Sequence, residues 1–262
     1  MTAFSERFGG IARLYGEPAL TRFARSHVCI VGLGGVGSWA AEALARTGIG
    51  RLTLVDMDDI CITNTNRQIH TLEGTVGQLK AEALRARLLA INPALECTAD
   101  VRFVTPGNVG EVLGGNFDVV LDAIDSVKSK VALLAWCRRN KQPVITTGGA
   151  GGLTDPTRIR VVDLSRTYHD PLLAKTRKLL RQHHGFPDNP KRRFGIEAVF
   201  SEEQPRYPDG QGGVCQAKPA PGESTRLDCA SGYGACTMVT GSFGFVAAAR
   251  VAGRLAQQAD PA

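Results

Sequence analysis

The sequence lacks several signatures, and each absence narrows the choice. Its thirty glycines follow no G-x-y period, which excludes a collagen-like chain, and no internal repeat is present. There is no G-x-x-x-x-G-K-[ST], so a phosphate site of the P-loop type is excluded. Seven cysteines are an odd number with no framework spacing, which points to a reducing cytoplasm rather than to disulfides. The start, MTAFSERFGG, carries Glu6 and Arg7 and has no apolar core, so it does not read as a secretory leader. Residues 229–249 contain no charge. Gly232, Gly234, Gly241, Gly244, Ser231, Thr237, Thr240 and Ser242 nonetheless make the stretch too polar for a stable membrane span. A core helix packed through small residues is expected there, with association at a membrane surface left open.

At 262 residues, 43% hydrophobic and 21% charged, the chain is of ordinary globular composition. The formal net charge is +6, and it is localised. Between Arg166 and Arg193 stand Arg166, Lys175, Arg177, Lys178, Arg181, Lys191, Arg192 and Arg193 against two acids, Asp170 and Asp188. This segment alone matches the whole excess. Such a block suits a polyanion such as RNA, or it is a solvated helix face followed by a basic loop.

Hydrophobic patterning alternates strands with helices. Strands are expected at 27–31, 51–55, 95–101, 117–121 and 143–147, and helices at 17–26, 35–47, 78–91 and 126–140. This order predicts an α/β fold: a Rossmann-like, doubly wound, mainly parallel sheet. The remainder reads as an irregular C-terminal elaboration. It has strands at 158–162 and 195–200, a basic helix at 171–184 and a final helix at about 235–257. Residues 1–152 are expected to bind nucleotide and 153–262 to elaborate on that region within one continuous domain.

Gly32, Gly34, Gly35 and Gly37 lie in GLGGVG, after a strand and before a helix, as a phosphate-binding turn requires. Asp56 ends the next strand, where a carboxylate can hold a ribose. Asp58, Asn64, Asn66 and Arg67 follow in DMDDICITNTNRQ, Lys80 opens the next helix, and Asp125 is expected to end the fourth strand in LDAIDS. A nicotinamide-dependent oxidoreductase would need only the glycines and Asp56. Cleavage of a nucleoside triphosphate would also use Arg67 and Lys80 on phosphates and Asp125 at magnesium. Cys29, Cys97 and Cys137 fall on core faces. His183 and His184 read as RNA-facing or solvated residues in a basic loop.

The segments GLGGVGSWAAEALARTGIG, LTLVDMDDICITNTNRQ, VGQLKAEALRARLLAINP and LDAIDS resemble the ubiquitin-activating-enzyme-like adenylyltransferases. The resemblance implies ATP and Mg2+ at the glycine turn, Asp56 on ribose, Arg67 and Lys80 on phosphates, and Asp125 on the metal. It also implies a homodimer with an N-terminal arginine, Arg7 or Arg13, crossing the interface. Members that activate sulfur-carrier proteins usually carry paired C-x-x-C zinc ligands. Here Cys215, Cys229 and Cys236 stand fourteen and seven positions apart, so no zinc is expected.

TTGGAGG, DPTRIRVVDL, TYHDPLLAKTRKLL, VFSEE and DCASGYGACTMVTGSFGFVA instead resemble one branch of that superfamily, which dehydrates threonylcarbamoyladenosine in tRNA. That branch implies ATP-dependent cyclisation, a monovalent cation (K+ or Na+) and a cysteine desulfurase or sulfur-acceptor system as partner. It also implies a cytoplasmic or membrane-associated setting. Lys175, Arg177, Lys178, Arg181, Lys191, Arg192 and Arg193 become the expected tRNA contacts. Cys229, just ahead of the expected final helix, becomes a candidate acyl acceptor, against the reading of a small packed thiol. The alternative function is activation of the C-terminus of a sulfur-carrier protein.

Overall fold

A computed structural model of the chain describes residues 3–189, 191–216 and 234–259. Two helices open it, α1 (Ala3–Tyr15) and α2 (Glu17–Arg25), separated by Gly16. Sequence patterning predicted α2 alone. The Gly9-Gly10 pair inside α1 is poor for helix propensity, which hides the element. Packing compensates: Phe8 and Ala12 are buried against Leu20 of α2.

Next come β1 (His27–Val31), α3 (Gly37–Arg46), β2 (Arg51–Val55), α4 (Lys80–Ile91) and β3 (Glu96–Asp100). A one-turn helix α5 (Val109–Val112) precedes β4 (Val119–Asp122), α6 (Val127–Arg139) and β5 (Val144–Thr147). The second half adds β6 (Ile159–Asp163), α7 (Pro171–His184), β7 (Glu197–Ser201), a short ribbon of β8 (Tyr207–Pro208) and β9 (Val214–Cys215), and α8 (Thr237–Ala256). The ribbon lies where the sequence suggested only irregular chain.

Seven strands form one sheet in the order β3-β2-β1-β4-β5-β7-β6. All neighbours are parallel except β6, which runs antiparallel to β7 at the edge. The architecture is the expected Rossmann-like one, and both halves of the chain contribute strands to it. Parallel strands covered on both faces must be apolar on both. In β1, Val28 and Ile30 face one layer, while Cys29 and Val31 face the other. Helices α2, α3, α4 and α8 cover the first face; α5, α6 and α7 cover the second.

From Thr237 onward the uncharged C-terminal stretch belongs to the core helix α8. At Gly244 a Cβ would lie 2.6 Å from the Val36 carbonyl oxygen and 2.8 Å from the Trp39 Cβ, so only glycine lets α8 approach α3 this closely. No helix among the described residues is long and apolar enough to cross a membrane.

One ionic feature ties the layers together. Lys130 of α6 is fully buried and donates to Asp122 of β4 at 2.6 Å and to the Thr146 hydroxyl of β5 at 3.1 Å. Thr146 in turn donates to Asp122 at 2.6 Å. Removing one member of such a pair leaves an uncompensated buried charge. Lys130→Met should therefore lower unfolding free energy by about 3–5 kcal/mol, read from the urea midpoint at unchanged slope. Adding Asp122→Asn should recover part of the loss.

Candidate active site

In an open parallel sheet, ligands bind where strand order reverses, beyond the carboxyl ends of the strands. Here that crevice lies between β1 and β4. The glycine turn leaves β1 at Gly32, and the loop carrying Asp125 leaves β4 after Asp122. The two loops are in contact. A Cβ on Gly32 would come within 2.8 Å of the Ala123 carbonyl oxygen, and one on Gly37 within 1.8 Å of the Gly32 carbonyl oxygen. The turn therefore closes tightly and delivers α3 with its N-terminus at the crevice. A cleft of about 700 Å³ opens there.

Gly32, Gly34, Gly35, Asp56, Asp58, Asn64, Arg67, Lys80 and Asp125 all line this cleft. Gly37 does not; it serves the turn. Asp56 is buried, and its two oxygens accept from the Leu33 amide at 2.6 Å and the Asp58 amide at 2.9 Å. Burial pushes its carboxyl up, while Lys80 and those amides pull it down. Lys80, the first residue of α4, is also buried and pairs with Asp58 at 2.8 Å. Arg67 donates to the Thr63 carbonyl at 2.9 Å and the Asn66 side chain at 3.0 Å. Its own carbonyl accepts from the Trp39 indole at 3.0 Å and the Thr240 hydroxyl at 3.2 Å, which fixes it against α3 and α8. Asn64 is buried and accepts from the Cys61 amide at 3.1 Å, so its side-chain oxygen braces its own turn.

Asp125 lies three residues beyond the end of β4 rather than at the strand terminus. Its exposed carboxylate stands on a loop held by Asp122, which accepts from the Ile124 amide at 3.1 Å.

Sequence reasoning missed two contributors. His70 is buried and donates from Nε2 to the Leu33 carbonyl at 2.9 Å; burial lowers its pKa to about 4, so it stays neutral. A histidine three residues past Arg67 carries no spacing signal of its own. Arg102 lines the far wall with Phe103 and is held by Asp100 at 2.6 Å and by Glu111. It follows an edge strand in a segment with no motif.

The basic block divides. Arg177 is half-buried and donates to the Thr167 hydroxyl, and Arg181 lies 5.2 Å from the centre of the Phe194 ring and donates to the Pro187 carbonyl at 3.3 Å. These two serve the fold directly. Lys175, Lys178, Lys191, Arg192 and Arg193 are exposed. His183 and His184 occupy the last turn of α7 rather than a loop.

Burial raises the thiol pKa values of Cys29 and Cys137, and that of half-buried Cys97 to about 12, as core positions should. Cys229 lies outside the described residues. The final helix begins at Thr237 with Cys236 at its N-cap, so the thiol beside that helix start is Cys236. Arg7 donates within the chain to the Ile91 carbonyl at 2.7 Å, and Arg13 is exposed on the same helix. Among the described residues no group of three or more His, Cys, Asp and Glu side chains is arranged to hold a metal.

The ThiF family matches residues 9–259. The tRNA threonylcarbamoyladenosine dehydratase of Escherichia coli K12 is 56% identical over 245 residues, covering 94% of this chain and 91% of that protein. The E. coli tRNA N6-threonylcarbamoyladenosine dehydratase solved in complex with ATP superposes with a TM-score of 0.88 at 50% identity, over 99% of this chain and 97% of that one. The same E. coli protein solved in complex with AMP gives a TM-score of 0.88, covering 99% and 98%. Likeness of this degree over the full length, on a fold with the crevice just described, places the chain in the ThiF family and, within it, among the tRNA threonylcarbamoyladenosine dehydratases.

Proposed function

We infer that this chain dehydrates threonylcarbamoyladenosine in tRNA at the expense of ATP, through adenylation of the threonyl carboxylate. The observation that carries the reading is the convergence of the glycine turn, Arg67, Lys80 and Asp125 on one cleft at the sheet's switch point.

The chemistry explains why ATP is needed. A carboxylate is a poor electrophile because its leaving group would be oxide. Attack of one carboxylate oxygen on the ATP α-phosphorus expels pyrophosphate and leaves an acyl-adenylate. The carbamoyl group of the same substituent then attacks the acyl carbon, and AMP departs with the carboxylate oxygen. The ring closes with net loss of water. Because both reacting groups sit on one substituent, the protein supplies activation and positioning.

The amides around Gly34 and Gly35, with the N-terminus of α3 behind them, offer donors to phosphate. Arg67 and Lys80 add positive charge, with Lys80 exchanging part of its Asp58 contact for phosphate. Asp56 retains lone pairs for a ribose hydroxyl. Asp125 would hold Mg2+, with phosphate oxygens completing the shell, and the metal would neutralise charge building on the leaving pyrophosphate. Such an ion usually shares its shell with substrate phosphates, so it does not require a dedicated cluster of protein carboxylates.

Whether the acyl group passes through Cys229 is decided by Cys229→Ser. A thioester route keeps pyrophosphate release and loses cyclic product, because a hydroxyl without a base is a far weaker nucleophile. Direct closure keeps both.

Asp125→Ala should reduce AMP formation by at least about 100-fold while moving stability by no more than about 0.5 kcal/mol, since the side chain is exposed. Full turnover by this variant would remove Asp125 from the mechanism. Replacing Lys191, Arg192 and Arg193 together by Glu should weaken tRNA binding and lower the slope of log K against log salt by about 2–3. ATP affinity should hold, because none of the three lines the cleft. An unchanged slope would assign these charges to solvation.

A further inference from the structure

A second cavity, of about 610 Å³, opens beside the first. The two share Asp125, Ser126, Gly149 and Leu172 as common walls. One side of the new cavity comes from the first turn of α6, at Lys128. The other comes from the second half of the chain: His169, Asp170 and Lys175 around the start of α7, and Ser201 and Glu203 at and beyond the end of β7. Its walls thus combine the nucleotide-binding core with the elaboration packed on it.

The charges facing this space are unequal in availability. Asp170 is buried and accepts from the Gly149 amide at 2.9 Å and the Leu173 amide at 2.8 Å. Glu203 is buried and accepts from the Thr154 amide and hydroxyl and the Asp155 amide, at 2.9–3.3 Å. Donors from the protein therefore engage both carboxylates. His169 bonds to the Glu202 carbonyl at 2.9 Å through Nδ1. Lys128 and Lys175 are exposed and have no ion-pair partner among the described residues. They are the wall's available cations.

We propose that this cavity receives the modified base, a purine bearing a carboxylate-terminated amino-acid substituent, and that Lys128 and Lys175 bind its carboxylate. The assignment rests on the functional reading above. A carboxylate approaching the ATP α-phosphate is repelled by the triphosphate, so cations are needed on its own side of the shared wall. Arg67 and Lys80 line only the first cleft; Lys128 and Lys175 line only the second. The Asp125–Ser126 and Gly149 walls are where the two ligands would meet. The volume lies within the range of small-molecule pockets and admits an unstacked base with its substituent. Lys175 is thereby separated from the rest of the basic block: it reads the modification, while Lys178, Lys191, Arg192 and Arg193, none of which lines the cavity, remain for phosphates.

The test uses one tRNA in two forms, carrying threonylcarbamoyladenosine or unmodified, against wild-type enzyme, Lys128→Ala, Lys175→Ala and Lys175→Arg. Wild type should prefer the modified form. Each alanine variant should lose about 10-fold in affinity for that form, as expected for a hydrogen bond to a charged group. Binding of the unmodified tRNA should stay within about twofold, so the preference collapses. Arginine should restore most of it, and equal urea midpoints will show that the variants are folded. Equal weakening of both tRNAs would make the lysines phosphate contacts and overturn the assignment, as would retention of the full preference. A wild-type enzyme that makes no cyclic product and shows no preference would instead overturn the functional reading itself.

Discussion

The nucleotide cleft depends on one residue, Leu33. Its amide is held by Asp56, its carbonyl by neutral His70, and its side chain is fully buried. Three anchors, from just beyond β2, from the segment after Arg67 and from the core, converge on the second residue of the glycine turn. A turn rich in glycine would otherwise sample many conformations. Pinned at Leu33, it keeps one, and α3 starts with its amides facing the crevice. Burial of Asp56 is tolerable because both of its oxygens accept from amides; His70 is neutral and bonded through Nε2, while its Nδ1 has no partner among the described residues.

The opposite lip is built on a different principle. Asp122 ends β4 and is neutralised by Lys130 inside the core, with Thr146 closing the triangle. The remaining Asp122 oxygen holds the Ile124 amide, so the buried charge also sets the path of the loop to Asp125. One lip is thus fixed by backbone clamps and the other by an ion pair. Between them lie the exposed groups suited to chemistry: Asp125 on its loop and the partly covered Arg67.

Much of this was legible in the sequence because it rests on local signals. The glycine turn between a strand and a helix, the apolar five-residue strands and the cap-and-proline start of α7 each declare themselves within a few residues. What stayed hidden depends on distant contacts. The α1 helix carries two adjacent glycines and exists through Phe8 and Ala12 packing on Leu20. His70, Lys130 and Asp122 matter only once the sheet order brings their partners near. The basic block read as one surface because composition cannot distinguish an arginine under a phenylalanine ring from one in solvent. Asp125 was placed at a strand end because LDAIDS continues the apolar run, whereas β4 stops at Asp122. The second cavity left no sequence trace, since its walls come from four separate segments, within 125–128, 149–153, 169–175 and 201–205.

The central claim is that the substrate carboxylate becomes an acyl-adenylate. Labelling that carboxylate with oxygen-18 in the modified tRNA and analysing the products tests it most directly. One labelled oxygen should appear in the phosphate of AMP, one equivalent per cyclic product, with pyrophosphate released in the same amount. Label in inorganic phosphate, with unlabelled ADP formed in the same amount, would indicate a γ-phosphoryl transfer instead, and label lost to water with unlabelled AMP would contradict carboxylate adenylation altogether.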